Sequence, residues 1–170
     1  MKIIAIAVQS IDGFIARNSK EFISWSSKED KQFFAKVTKE SGVVVMGRGT
    51  FELFPKPLKD RLNVVLTSDP SKYESIPGLV EYTNDDLETL VKKLGDRGFS
   101  TICITGGSRT YTEFLKMKLL DEVYLTIEPV FLGRGISLFT ESVDGVKAAL
   151  METKLLNSQS VLLQYRLSYE

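Results

Sequence analysis

Apolar residues in this chain fall into short continuous runs, and between the runs they return at helical spacing. Ile3 to Val8 is the first run, with the continuity of a strand buried on both faces. Asp12-Gly13 marks a turn after it, and the polar stretch Asn18 to Glu21 reads as a mobile loop. Ser26 followed by Glu29 has the spacing of a capping box, so a helix is expected from Ser27 to about Glu40. Val43 to Met46 is a second buried strand, and Gly47-Arg48-Gly49 leads into a short helix from Thr50 to about Phe54. Pro55 and Pro57 break that helix, Leu62 to Leu66 resumes a strand, and Ser68-Asp69-Pro70 turns. Leu79 to Tyr82 is a weak strand, Asn84 to Leu94 an amphipathic helix capped by Asn84, and Thr101 to Thr105 another buried strand. Gly106-Gly107 then opens a helix from Ser108 to about Met117. Beyond it the pattern changes: Val123 to Ile127, about Ala148 to Leu155, and Val161 to Leu167 follow without long helices between them. The sum is one α/β domain, a mostly parallel sheet with helices on both faces and an antiparallel C-terminal end.

Composition narrows the chemistry. With 170 residues, 43% of them apolar, the chain can bury a core without staples. Its 22 basic and 22 acidic side chains cancel, which gives no overall attraction to nucleic acid or to an anionic membrane. There is no histidine, which removes imidazole bases and the commonest metal ligand. The single cysteine, Cys103, sits in an apolar run and argues for packing rather than a disulfide or a thiolate metal site. The first apolar run is too short for a signal peptide or a membrane span, so a cytoplasmic setting is the expectation.

The stretch WSSKEDKQFF, Trp25 to Phe34, carries the first chemical signal. Asp30 shares a helix face with Phe33, Phe34, Val37 and Ser41. It is either a first-turn charge favoured by the helix dipole or a carboxylate facing a pocket. The second signal is a pair of strand-to-glycine-to-helix corners, Gly47-Arg48-Gly49-Thr50 and Gly106-Gly107-Ser108-Arg109. Glycines let a phosphate approach helix N–H groups, and each corner adds an arginine and a hydroxyl. Two such corners suit a dinucleotide. The Rossmann fingerprint itself is absent, since Glu52 stands where a third glycine is needed.

Trp25 and Asp30, then VVVMGRGTFE, PLKDRLNVVLTS, ITGGSRTYTEFL and VYLT, resemble dihydrofolate reductase in order and spacing over nearly the whole chain. The resemblance implies an eight-stranded mixed sheet, NADPH as cofactor and dihydrofolate as substrate. It makes Asp30 the pterin-binding carboxylate, supported by Thr126 from a neighbouring strand end. Ile6, Val8, Phe34 and Leu58 would wall the pterin and benzoyl rings, and Arg61 would hold the glutamate carboxylate. Ala7, Ile15, Gly47, Arg48, Gly49, Thr50, Thr67 and Ser68 match cofactor positions. So do Thr105, Gly106, Gly107, Ser108 and Arg109, with Tyr111 near the nicotinamide. The implied reaction is hydride transfer to the carbon of a C=N bond, with the loop of Asp12 to Trp25 closing over the site.

Three features depart from that pattern. Lys31 stands where the folate enzymes place an apolar wall residue, and Asp69 falls beside the expected 2′-phosphate pocket, where Lys72 or Arg48 would have to compensate. Ser10 to Ala16, and Glu128-Pro129 followed by Leu132-Gly133-Arg134-Gly135, are similar to the pyrimidine reductase domain of riboflavin biosynthesis. That second resemblance implies the same fold and NADPH but a ribosylamino-pyrimidine phosphate as substrate. Leu132 to Gly135 is also a candidate for a homodimer contact.

Overall fold

The computed structural model describes residues 1–170. Eight strands form one sheet in the order β5-β4-β3-β6-β1-β7-β10-β9. The parallel part comprises β1 (Lys2–Ser10), β3 (Val43–Gly47), β4 (Leu62–Leu66), β5 (Val80–Thr83), β6 (Thr101–Ile104) and β7 (Glu122–Glu128). β10 (Val161–Tyr169) runs antiparallel to β7, and β9 (Val146–Leu155) antiparallel to β10. A small separate ribbon joins β2 (Phe14–Ala16) to β8 (Ile136–Ser137). Neither of those strands is visible in the hydrophobic pattern, because each is too short to show a period.

The continuous apolar runs are explained by cores on both sheet faces. Ile3 and Ala5 of β1 join the larger core with Val43, Val45, Ile102 and Ile104, while Ile4 and Ile6 join a smaller one with Val44, Met46 and Cys103. Helices α3 (Leu87–Asp96) and α4 (Ser108–Lys116) cover the first through Leu90, Leu94, Phe114 and Leu115. Helix α1 (Lys28–Ser41) covers the second through Phe33, Phe34 and Val37. Alternate residues of one strand therefore meet different helices, and neither parity can be polar. The fourth helix, α2 (Arg48–Phe51), begins directly after the last residue of β3, two residues earlier than the expected Thr50 start. No helix is long and apolar enough to cross a membrane.

Two caps differ from expectation. Helix α1 is capped by Ser27, whose hydroxyl accepts the Asp30 N–H at 3.1 Å, rather than by Ser26. Glu29 does not close a capping box; its carboxylate accepts the Asn157 amide at 3.1 Å. Helix α3 is capped by Asp86, which accepts the Thr89 N–H at 2.8 Å, not by Asn84.

Candidate active site

Where the parallel strands end, α1, the glycine corners and the β2–β8 ribbon enclose a cavity of about 1280 Å³. A single drug-sized ligand occupies roughly 300–1,000 Å³, so there is room for two ligands side by side. Every residue expected at the site lines this cavity except Thr126. Thr126 is buried at 1% exposure on β7 and reaches the site through Asp30.

Asp30 is the buried acid on the α1 side of the cavity, 7% exposed. Burial raises its carboxyl above the ordinary carboxylate range, hydrogen bonding from the Thr126 and Ser26 hydroxyls pulls it back, and the like charge of Glu128 raises it again. Ser26, free of the capping role expected for it, thus serves the acid. Sequence reasoning noted Glu128 only as part of Glu128-Pro129 and gave it no role beside the acid. It is 3% exposed; one oxygen accepts the Ser27 N–H at 2.7 Å and the other the Ser160 hydroxyl at 2.6 Å. A buried carboxylate therefore both fixes the start of α1 and faces the acid that α1 carries. The only local hint was Glu128-Pro129 at the end of the strand that carries VYLT. Replacing Glu128 by Gln is expected to lower the midpoint at which the Asp30 carboxyl titrates in the folded protein, followed by carbon NMR. An unchanged midpoint would mean that the two carboxyls do not interact.

Along α1 the cavity wall continues through Lys31, Phe34 and Ala35. Phe34, Leu58 and Ile6 also belong to the smaller core, so the same side chains hold the sheet to α1 and shape the pocket. Arg61 is pre-positioned: its Nε donates to the Lys59 carbonyl at 2.8 Å and its Nη1 to the Thr38 hydroxyl, which itself donates to the Phe34 carbonyl at 2.6 Å. Its remaining donors are available to an anionic substituent. Over the mouth, Phe22 of the Asp12–Trp25 loop meets Phe54 edge to face with ring centroids 6.5 Å apart. The start of that loop is tied down by Asp12, which accepts the N–H groups of Leu132 at 3.1 Å and Gly133 at 2.6 Å.

The two glycine corners press against each other. The Gly47 N–H donates to the Gly106 carbonyl at 2.9 Å, and the Gly106–Gly107 peptide is cis. A Cβ at Gly107 would lie 3.0 Å from the Thr50 hydroxyl, and Gly106 has φ +123°, a conformation that side chains disfavour. The result is a cradle walled by backbone, with the unpaired first-turn N–H groups of α4 at one side. The Thr105 hydroxyl is buried there without a partner, and the Trp25 indole N–H is buried without one next to Ser26. Orphaned polar atoms of this kind ask for a ligand or water. This donor set, lacking side chains where an anion must approach, fits the pyrophosphate of a dinucleotide.

Some expected cofactor residues already have partners. Ser108 donates its hydroxyl to the Ser137 and Leu138 carbonyls, so it secures β8 rather than offering itself to a phosphate. Arg48 pairs with Glu52 at 2.6 Å, and Asp69 is compensated by Lys72 at 3.1 Å. Tyr111 donates to the Ile6 carbonyl at 2.7 Å, which fixes its ring against the cavity. Arg109 is exposed at the rim.

A mixed sheet of this order, with a cleft at its carboxyl ends, a buried acid on the first helix and two glycine corners, is a dihydrofolate reductase-like fold. The chain belongs to the RibD C-terminal domain family, whose model matches residues 1–162. It is 32% identical over 171 residues to the uncharacterized protein YwjB of Bacillus subtilis (strain 168), covering 96% of this chain and 95% of that one. Among solved structures it is similar to dihydrofolate reductase from Enterococcus faecalis complexed with NADP(H) and RAB-propyl: TM-score 0.74, 24% identity, 98% of this chain and 96% of that chain. It is also similar to a diaminohydroxyphosphoribosylaminopyrimidine deaminase/5-amino-6-(5-phosphoribosylamino)uracil reductase from Thermotoga maritima, with TM-score 0.81 and 18% identity over 97% of this chain and 56% of that chain.

Proposed function

We propose that this chain is an NADPH-dependent reductase of a C=N bond in a pterin-type ring, with 7,8-dihydrofolate as substrate and tetrahydrofolate as product. The observation that carries the reading is Asp30, a buried carboxylate with raised proton affinity, backed by Thr126 and Ser26 at the end of a cavity large enough for cofactor and substrate together. An acid in this position accepts two hydrogen bonds from an amino-pyrimidine edge and fixes the ring in one orientation. The NADP(H) complex of the Enterococcus faecalis relative supports the cofactor assignment.

Bound against the glycine cradle, NADPH would supply a hydride. Gly47, Gly49, Gly106 and Gly107 leave space for its phosphates, Thr50 and the unpartnered Thr105 offer hydroxyls, and Thr67, Ser68, Arg48 and Arg109 lie along the wall toward its adenosine half. Ala7, Ile15 and Tyr111, which line the same cavity, would hold the nicotinamide end. Ile6, Val8, Phe34 and Leu58 hold the substrate ring and Arg61 its carboxylate. Asp30, the buried acid that α1 presents to the cavity, would influence protonation of the ring nitrogen beside the reduced carbon, through water. The loop carrying Phe22 and Ile23 excludes bulk water during transfer.

A second reading is favoured by Lys31. It lines the cavity next to Asp30, about 10 Å along the helix from Thr38, the anchor of Arg61, by the helical rise. A substrate with a short anionic tail, such as a ribosylamino-pyrimidine phosphate, would use it. The test is a substrate panel: NADPH oxidation with dihydrofolate and with the phosphorylated pyrimidine, for the natural chain and for Lys31→Leu. Turnover of dihydrofolate, improved or unchanged by Lys31→Leu, is the expected result. Turnover of the pyrimidine alone, lost by tenfold or more in KM with the leucine, would replace the first reading by the second.

A further inference from the structure

We propose that Glu128 and the turn between β9 and β10 form a positioning strap, which holds the first turn of α1 at the depth where Asp30 meets the substrate. The kinetic part of this inference rests on the reading of Asp30 as the partner of the substrate ring. Its structural part stands on contacts made outside the cavity, since none of Glu128, Asn157 and Ser160 lines it.

Three of the four residues from Ser27 to Asp30 are held by other elements. The Ser27 N–H donates to Glu128 at 2.7 Å, the Glu29 carboxylate accepts the Asn157 amide at 3.1 Å, and the Asp30 carboxyl is hydrogen-bonded to the Thr126 hydroxyl. Thr126 and Glu128 are two residues apart on β7 and therefore face the same side of the sheet, that of α1. One strand thus grips the first turn twice, by the backbone of Ser27 and by the side chain of Asp30.

Glu128 is in turn fixed from behind. Ser160, 1% exposed, donates its hydroxyl to the second carboxylate oxygen at 2.6 Å. Hydrogen bonds to an ionised acceptor are shorter and stronger than those between neutral groups. The turn that carries Ser160 is closed on itself. Asn157 Oδ1 accepts the N–H groups of Gln159 at 2.8 Å and Ser160 at 2.7 Å, and the Leu156 N–H donates to the Ser160 carbonyl at 2.9 Å. An asparagine engaged in this way has one orientation, and it sends the amide nitrogen to Glu29. The turn therefore reaches α1 at two points, directly at Glu29 and through Glu128 at Ser27.

Packing alone leaves the helix freer than this. Phe33, Phe34 and Val37 hold α1 against the smaller core, but apolar contact is non-directional and fixes the distance of a helix from a sheet better than its rotation or slide. Directional hydrogen bonds at the first turn fix both. A carboxylate that orients a reacting ring needs that precision, because a misplacement of about 1 Å can cost roughly a hundredfold in rate. A helix cap does not need it. The Ser27 hydroxyl already accepts the Asp30 N–H, and two buried carboxylates on adjoining elements cost folding stability.

The test uses the full chain with Asn157→Ala and Ser160→Ala combined, and Glu128→Ala beside Glu128→Gln. Trp25 is the only tryptophan and directly precedes the strap, so its quenching by acrylamide reports the start of α1 without any substrate. Quenching should rise in the double variant and in Glu128→Ala. In both, the KM for dihydrofolate should rise about tenfold or more, while the dissociation constant of NADPH stays unchanged. Glutamine keeps an acceptor for Ser27 and a partner for the Ser160 hydroxyl, so Glu128→Gln should restore natural quenching and natural KM. Natural quenching in the double variant and in Glu128→Ala would overturn the strap, whatever the substrate. Raised quenching with an unchanged KM would reduce it to a helix cap, and a glutamine variant that behaves as the alanine one would make the effect one of charge; either result overturns the positioning role. A natural chain that reduces the phosphorylated pyrimidine and not dihydrofolate refutes the functional reading alone, and the same KM comparison is then made with the pyrimidine.

Discussion

Asp30→Asn is expected to lower turnover by roughly two to four powers of ten, the usual contribution of a positioned acid–base group, while raising the melting temperature at neutral pH. Both changes follow from burial. The carboxyl is raised above its ordinary value of 3.8, chiefly by desolvation and further by Glu128, so the folded protein holds this proton more tightly than the unfolded chain. A raised acid contributes its stability in full below the unfolded value and loses it as pH rises through the folded one. At neutral pH the ionised group is a cost to folding, and asparagine removes that cost while keeping the size. At about pH 3 and below, where the acid is largely protonated in both states, the difference in melting temperature should vanish. Thermal melts at the two pH values, beside dihydrofolate turnover, measure both halves. Unchanged turnover together with a lower melting temperature at neutral pH would make Asp30 a first-turn helix-dipole charge and nothing more.

Gly135→Ala is expected to damage the site from outside it. A Cβ there would lie 2.2 Å from the Ala16 carbonyl oxygen and 3.2 Å from Phe14 Cβ, with backbone rather than a flexible side chain in the way. The β2–β8 ribbon must separate. That ribbon brings Ile15, Ala16 and Ile136 to the cavity wall, and its Ser137 carbonyl is where the Ser108 hydroxyl ends. Overpacking of this kind costs about 1–3 kcal/mol, which for a chain of this length lowers the melting temperature by roughly 2–4 °C per kcal/mol. The dinucleotide KM should rise about tenfold or more, since the wall beside Ile15 is displaced, with kcat changed less. A normal cofactor KM in the alanine variant would show that the ribbon does not shape the cofactor side of the cavity.

The strands were legible because both of their faces are buried. Leu62–Leu66 coincides with the expected run, and β1, β3 and β6 differ from theirs by a residue or two at the ends. The caps were less legible. Ser26 and Ser27 are equally good capping residues, as are Asn84 and Asp86, and local chemistry does not choose between them. At α1 the choice is made by Glu128, which holds the Ser27 N–H from 101 residues away. Arg61 was legible as a planar donor, but the hydroxyl of Thr38 that orients it belongs to another element. Ser108 lines the cavity as expected, but its hydroxyl also holds β8, a strand the sequence does not announce.

By itself the sequence determined the order of the helices and of the eight strands of the main sheet, the acid on the first helix and the two glycine corners. Each of these depends on spacing within a few residues, where periodicity, capping and the conformational freedom of glycine act. Only the tertiary structure decided that Glu128 stands behind Asp30, that the two corners close on one another, and that one face of β9 is left without cover. Those are contacts between segments tens of residues apart, and their partners are chosen by how the whole sheet packs, which no local pattern records.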